Sequence, residues 1–386
     1  MNKKLGIITS HPIQYQAPIF RELAKETDLQ VYFAHRATSK DQADEGFGVQ
    51  FQWDQDLTSG YKHLFLNNES RWPGFSRFFG CNTPQIKQII RAEKFDAVLV
   101  MGWNLYSYWQ TVIACRLNNV PVMVRGDSHL GTPRGKLKKT LKRLPYYLMF
   151  RNFARCLYVG KMSKQYYQHY GVRMSKLFFS PHAVDNDWFR QQVNTLDKSQ
   201  VRFKYGIDKD VTVVLFAGKL VKKKRPQDVI HAMKGLGERY IAVYAGAGEQ
   251  SGEIADLASK LNVTCIILGF INQGEMPAVY CLADILVLPS DGRETWGLVV
   301  NEAMACSIPV VVSDAVGCAP DLVVPGQTGY VYTMGDVARL RDILCKFDNK
   351  IETGRISTAS ICSKIHGYSP QTASQGILRA IESLSH

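Results

Sequence analysis

Short apolar runs alternate with helix-patterned stretches along most of the chain. Runs such as KLGIIT, LQVYFA, FDAVLVMG, VPVMVRG and RCLYVG are nearly continuously apolar, and stretches such as APIFRELAKE and PQIKQIIRAEK carry apolar residues at helical spacing. Strands of parallel sheets read as such runs because helices cover both of their faces. The pattern therefore predicts an α/β protein built on parallel sheets.

The apolar rhythm pauses once, after Pro181, through HAVDNDWFRQQVNTLDKSQ. It resumes with VTVVLFAG, YIAVYAG, VTCIILG, ADILVLP and PVVVSD. We therefore predict two doubly wound α/β domains, spanning residues 1–190 and 191–369. The stretch from Phe47 to Gly80 is rich in aromatic residues, Asn, Ser and Gly, which predicts a long irregular functional loop or insertion.

Composition narrows the class of protein. The chain has 386 residues, of which 46% are apolar, so it can bury a large core. Its N-terminus lacks the apolar core of a signal peptide, and no run of about eighteen apolar residues occurs, which favours a cytoplasmic protein. The nine cysteines form no C-x-x-C pair and are expected to be reduced. The net charge of +13 suggests an anionic partner: a nucleotide, a nucleic acid or a lipid surface.

The segment DGRETWGLVVNEAMACSIPVVVSD places two acids, Glu294 and Glu302, eight positions apart around Gly297. A helix should begin near Gly297, so that Glu294 lies in the preceding loop and Glu302 on the second turn. The first N–H groups of that helix, from Gly297, Leu298 and Val299, suit a phosphate at the edge of the sheet. Glu302 would then accept from a ribose diol, and Glu294 would contact what lies beyond the phosphates. Two ordinary surface acids are the alternative.

A second block, FAGKLVKKKRP, places Gly218, Lys219 and Lys224 at the end of the first strand of the second domain. Loops at this end of such strands bind ligands, and two cations there would neutralise a diphosphate. The alternative is a solvated lysine face.

Together these blocks resemble family 4 of the retaining glycosyltransferases. FAGKLVKKKRP is similar to the family's G-R-L-x-x-x-K block, ETWGLVVNEAMACSIPVVVSD to its E-x(7)-E block, and VVPGQTGYVY to its closing pattern, over about 110 residues from Phe216 to Tyr332. PHAVDNDWF is similar to the family's interdomain segment, with His182 and Ala183 in place of Asn and Gly.

The resemblance implies the glycosyltransferase-B fold, in which two Rossmann-like domains face a cleft. It implies that Lys219 and Lys224 hold the diphosphate of a nucleotide-sugar donor, with Lys219 standing where the family usually has Arg. Glu302 would bind the ribose hydroxyls and Glu294 the donor sugar, while Gly297 and Leu298 give N–H groups to phosphate. The reaction would be retaining, would need no metal or other cofactor, and would transfer the sugar to a saccharide or lipid-linked saccharide.

Two sites are expected in the first domain. TSHPIQYQAP places Ser10 and His11 after the first strand, where His11 is either an acceptor contact or a turn-capping residue. RGDSHLG places Asp127 and His129 at another strand end, and it resembles the family segment whose histidine faces the transferred sugar. His129 and Glu294 are therefore the catalytic candidates.

Two sequence features predict contacts outside the cleft. PRGKLKKTLKRLPYYLMFRNFAR crowds cations ahead of aromatic residues, which suits a peripheral contact with an anionic membrane; the alternative is a solvated helix packed through Leu141, Leu144 and Leu148 with its aromatic residues buried. YSPQTASQGILRAIESL predicts a final helix over residues 370–386, which in the resembling family packs back onto the first domain.

Competing functions rest on weaker patterns. D-x-D pairs at Asp54 and Asp56 and at Asp185 and Asp187 are typical of metal-dependent glycosyltransferases of another fold, and Gly246 and Gly248 begin a dinucleotide motif that then fails. A sugar-nucleotide epimerase of the same fold and a non-enzymatic polyanion-binding protein also stay open, although no nucleic-acid-binding motif is present. The sequence does not choose the base, the sugar or the acceptor.

Overall fold

The computed structural model describes residues 3–36, 54–133, 135–348 and 356–385. Within these residues the chain forms two parallel sheets with helices on both faces, as the apolar pattern predicted. Two Rossmann-like α/β domains are thereby confirmed as the fold class.

The first sheet has the strand order β3-β2-β1-β4-β5-β6-β7, and every pair is parallel. Its strands are β1 (Lys4–Thr9), β2 (Asp28–Phe33), β3 (Lys62–Phe65), β4 (Ala97–Val100), β5 (Val122–Gly126), β6 (Arg155–Tyr158) and β7 (Leu177–Phe179). Its helices are α1 (Ala17–Glu26), α2 (Ile86–Glu93), α3 (Tyr106–Leu117), α4 (Lys136–Phe150) and α5 (Lys161–His169).

The second sheet has the order β10-β9-β8-β11-β12-β13 and is again parallel. Its strands are β8 (Thr212–Ala217), β9 (Tyr240–Ala245), β10 (Cys265–Gly269), β11 (Ile285–Leu288), β12 (Val310–Ser313) and β13 (Gly329–Tyr332). The helices that accompany it are α6 (Asn186–Asn194), α7 (Lys198–Lys204), α8 (Gln227–Met233), α9 (Ser251–Lys260), α10 (Met276–Leu282), α11 (Leu298–Ala305), α12 (Ala319–Leu322), α13 (Val337–Asp348) and α14 (Thr358–His366).

The final helix, α15 (Pro370–Glu382), packs on the first domain. Its apolar residues Ala373, Ile377, Ala380 and Ile381 are buried in one cluster with residues of β1, β2 and α1. Gly376 allows this approach, because a Cβ there would lie 1.8 Å from the carbonyl oxygen of Phe179 at the end of β7. The chain therefore crosses to the second domain and returns.

The expectation of an irregular loop from Phe47 to Gly80 is wrong for part of that stretch. Lys62–Phe65 forms the edge strand β3, which pairs in parallel with Gln30–Phe33 of β2. Its first three residues are exposed, so the strand lacks the apolar run that marks the central strands. Residues 47–53 lie outside the described residues.

Each sheet reverses its strand order at one point. At that point a crevice opens at the carboxyl ends of the two adjacent strands. In the first sheet the point lies between β1 and β4, and in the second between β8 and β11. Ligands of such sheets bind at this position. No helix among the described residues is both long enough and apolar enough to span a bilayer.

Candidate active site

The candidate site lies where β8 and β11 end. Gly218 follows β8 with a φ of +131°, which is a conformation that favours glycine. A Cβ on Gly246, after β9, would lie 1.9 Å from the carbonyl oxygen of Gly218, so the two loops are in close backbone contact. Lys219 follows directly and is half-buried. The sequence thus keeps side chains small where a ligand would approach the backbone.

Lys224 and Glu294 form an ion pair at this edge. Only 13% of the Lys224 side chain and 15% of the Glu294 side chain are accessible, and Ser290 Oγ donates to Glu294 Oε2 at 3.3 Å. The structure therefore brings together two residues that the sequence placed 70 positions apart on separate motifs. Each of the two charges balances the other.

Helix α11 begins beside this pair, as predicted. Gly297 precedes it with a φ of +97°, and a Cβ there would lie 2.7 Å from Leu288 Cδ2. Leu298 and Val299 supply the first N–H groups of the helix, which have no intrahelical partner in such a position. The start of α11 thus combines a position that only glycine can occupy with N–H donors that suit a phosphate.

Glu302 is buried, with 3% of its surface accessible, so the alternative of a surface acid is wrong for this residue. Tyr280 donates its hydroxyl proton to Oε2 at 2.6 Å, and Tyr15 donates to Oε1 at 3.0 Å. Burial raises the pKa of Glu302 to about 7, although the two tyrosine hydrogen bonds oppose this shift. A ribose diol at Oε1 would share this oxygen with Tyr15 or take the place of Tyr15.

Tyr15 was not predicted as a site residue. It lies in the loop after β1, within HPIQYQAP, and its ring packs against the core of the second domain. The same loop holds the predicted Ser10 and His11. There, Ser10 Oγ and His11 Nδ1 lie 2.9 Å apart, and the His11 ring stacks on Phe75 at 4.0 Å.

Asp127 lies at the domain interface. It accepts a hydrogen bond from Thr295 Oγ1 at 2.7 Å, and His182 Nε2 lies 3.6 Å from the same carboxylate oxygen. Burial raises the pKa of Asp127, but His182 and Thr295 more than reverse this and lower it to about 2. Asp127 therefore connects the first domain to the residue that follows Glu294. His182 appeared in the sequence only as a departure from the family's interdomain segment.

His129 is buried, and its Nδ1 accepts from the Gly131 N–H at 3.1 Å. It lines a cavity of about 370 Å³ between the domains, together with Met162 and Gln165 from α5 and Asp291 and Asp314 from the second domain. His129 thus lies at the boundary between the two domains, in a cavity whose lining includes Asp291 but not Glu294.

The D-x-D pairs take other roles. Asp54 Oδ2 accepts from the Gly274 N–H at 2.9 Å, and Asp56 accepts from the N–H groups of Thr58 and Ser59 at 2.9 and 3.1 Å. Those bonds lower the pKa of Asp56 to about 2. Asp185 caps α6 through the Trp188 N–H. In the described part of the chain, no three His, Cys, Asp or Glu side chains cluster as metal ligands do.

Comparison with known proteins shows which fold this is. Along its whole length the chain is similar to a glycosyltransferase from Rickettsia africae, with a TM-score of 0.75, 16% identity and coverage of 100% of this chain and 99% of the other. It is also similar to Anabaena HepE in complex with UDP and glucose, with a TM-score of 0.73, 18% identity and coverage of 99% and 100%. The chain has the glycosyltransferase-B fold. At these identities the likeness concerns the fold.

The second glycosyltransferase-B domain also carries a family match. Residues 197–349 match the model "Glycosyl transferases group 1", which includes both blocks around Lys224 and Glu294. An uncharacterised glycosyltransferase of Methanocaldococcus jannaschii is 36% identical over 137 residues, which is 34% of this chain and 35% of that protein. A GDP-mannose-dependent mannosyltransferase of Mycolicibacterium smegmatis is 31% identical over 168 residues, 41% and 43% of the two chains. Matches of this kind span about a third to a half of each relative.

Proposed function

We propose that this protein is a retaining, metal-independent glycosyltransferase that moves a sugar from a nucleotide-diphosphate sugar to a saccharide or a lipid-linked saccharide. The observation that carries the proposal is the Lys224–Glu294 ion pair beside the start of α11, with the buried Glu302 one turn into the helix. The family match over residues 197–349 supports it, and Anabaena HepE, a protein of the same fold, was solved with UDP and glucose.

The charges at this site suit a diphosphate. In the proposed complex Lys224 leaves Glu294 for the diphosphate, where Lys219 and the N–H groups of Leu298 and Val299 join it. Glu294 is then released to accept from hydroxyls of the donor sugar. Fixed cations and N–H groups stabilise a departing anion without reorganising, and one such donor lowers the activation barrier by about 3 kcal/mol. These groups take the place of a metal ion.

Transfer proceeds on one face of the donor sugar. The bond from the anomeric carbon to the diphosphate oxygen breaks, the acceptor oxygen bonds to that carbon, and the acceptor proton passes to the departing phosphate oxygen. Asp127 and His129 belong to the first domain, where Asp127 contacts Thr295 of the second domain and His129 lines the interdomain cavity. We expect this domain to present the acceptor. We expect the enzyme to act in the assembly of a cell-surface polysaccharide or glycolipid.

A release assay tests this function. The full chain, incubated with a panel of UDP-, GDP- and ADP-sugars and saccharide acceptors in EDTA, should release nucleoside diphosphate and form a glycoside that keeps the donor's anomeric configuration. Lys224→Met should lower the rate by roughly a hundredfold. Complete loss of activity in EDTA, restored by Mg²⁺, would contradict metal independence. Conversion of the donor into an isomeric sugar without an acceptor would identify an epimerase instead.

A further inference from the structure

A second cavity lies away from the cleft, at the amino-terminal edge of the first sheet. Its volume is about 240 Å³, and it is bounded by the end of α4, the turn after α5 and the short segment before β7. Three aromatic residues and three cations form most of its lining: Tyr147, Phe150, Tyr170, Arg151, Arg173 and Lys176. Because the cleft opens at the carboxyl ends of the strands, this cavity lies at the other edge of the domain.

The lining contains three cations and no Asp or Glu. The surrounding sequence has the same bias, because residues 128–184 contain twelve Lys and Arg and no acidic residue. Almost the whole net charge of +13 therefore falls on this segment. A cavity with this charge is suited to an anion.

Local geometry holds the cavity open. Gly171 has a φ of +81°, and a Cβ there would lie 2.6 Å from Tyr147 Cδ2, so glycine lets the ring lie against the backbone. The Arg151 guanidinium lies 5.9 Å from the centre of the same ring. Lys176 Nζ donates to the Phe153 carbonyl at 3.2 Å, which fixes the ammonium while leaving two of its three donors for a ligand.

The outer face of α4 beside the cavity is apolar. Leu141, Leu144 and Leu148 are between 51% and 66% exposed, and their spacing places them on one side of the helix. Phe150 and Phe153 are buried instead. The alternative to a membrane contact is a helix packed through these leucines with its aromatic residues buried. It is right for Phe150 and Phe153 and wrong for the leucines. Arg134 and the side chains of Lys136, Lys138 and Lys139 lie outside the described residues.

We propose that this cavity binds the headgroup phosphate of an anionic phospholipid, while Leu141, Leu144 and Leu148 enter the boundary between headgroups and acyl chains. The site is separate from the proposed transfer chemistry and would bind lipid even if that chemistry were different. Three cations and aromatic walls suit a phosphate ester, and the adjoining aliphatic face suits a bilayer. A nucleic acid would leave those leucines without a partner.

Vesicle sedimentation of the full chain tests the site. The wild type pellets with vesicles of phosphatidylcholine and phosphatidic acid but stays in solution with phosphatidylcholine alone, and salt weakens the binding. Arg151→Gln/Arg173→Gln lowers the partition coefficient at least tenfold, since one cation at an anionic leaflet contributes about fivefold. Lys209→Gln/Lys260→Gln is the matched control, because it removes the same charge from exposed positions of the second domain and leaves binding unchanged.

Gly171→Ala separates a shaped site from a diffuse basic surface, because it keeps every charge but displaces Tyr147. Binding falls at least fivefold in this variant while its far-UV circular dichroism stays that of the wild type. A wild type that does not pellet, an equal loss in the control pair, or full binding by Gly171→Ala would overturn the proposal. Two further results would also overturn it. In the first, glycerol 3-phosphate stabilises the wild type but not Gly171→Ala, and neither protein binds vesicles. In the second, single-stranded RNA gives this Gly171-dependent stabilisation and vesicles do not bind.

Discussion

The hydroxyl of Tyr15 donates to Oε1 of Glu302 at 3.0 Å, and this bond joins a loop of the first domain to the centre of the proposed donor site. The other carboxylate oxygen is held by Tyr280 of the second domain. A donor that binds Oε1 of Glu302 through its ribose would therefore meet Tyr15 at the same oxygen, and we expect the two to compete. The two domains are thus linked by the same carboxylate that the nucleotide would use.

Tyr15→Phe should tighten nucleoside diphosphate binding by about fivefold, because the variant removes a competing hydrogen bond of about 1 kcal/mol. Isothermal titration calorimetry of wild type and variant measures the change. Tyr280→Phe is the control, since it removes the bond to Oε2 without freeing Oε1 from Tyr15. Weaker nucleotide binding by Tyr15→Phe would mean that Tyr15 assists the donor rather than competes with it.

The raised pKa of Glu302 predicts a pH-dependent stability. Between the ordinary carboxyl pKa and about 7 the folded state holds the proton more tightly than the unfolded state, so the contribution is present at low pH and is lost as pH rises through 7. The full effect is about 3 kcal/mol. Relative to Glu302→Gln, which does not titrate, the wild type should lose stability between pH 5 and pH 8. If the difference in unfolding free energy between the wild type and Glu302→Gln is the same at pH 5 and pH 8, Glu302 does not titrate as a buried acid.

Removal of the final helix tests the return of the chain to the first domain. A chain ending at Ser369 loses Ala373, Ile377, Ala380 and Ile381 from the cluster beneath β1 and α1, and should melt well below the intact protein. Deletion of residues 383–386 alone removes none of these side chains and serves as the comparison. Equal melting of the Ser369 chain and the full chain would show that the helix adds nothing to the first domain.

The sequence predicts the architecture because its strands are buried on both faces and therefore carry unbroken apolar runs. It misses β3, whose KHLF is exposed at the edge of the sheet. Lys224, Glu294, Gly297 and Glu302 follow from motifs within one domain, and they lie together. Tyr15 lies 287 positions from Glu302, and no local pattern marks a contact between residues of two different domains.

The most direct measurement compares Glu294→Gln with Glu302→Gln in nucleoside diphosphate binding and in transfer. Glu302→Gln should weaken binding about tenfold, because one hydrogen bond from ribose to a carboxylate is worth about 1.5 kcal/mol. Glu294→Gln should leave binding unchanged or slightly tighter, since it frees Lys224 for the diphosphate, while transfer falls by roughly a hundredfold. Equal losses of nucleoside diphosphate affinity in the two variants would contradict the assignment of ribose to one acid and sugar to the other.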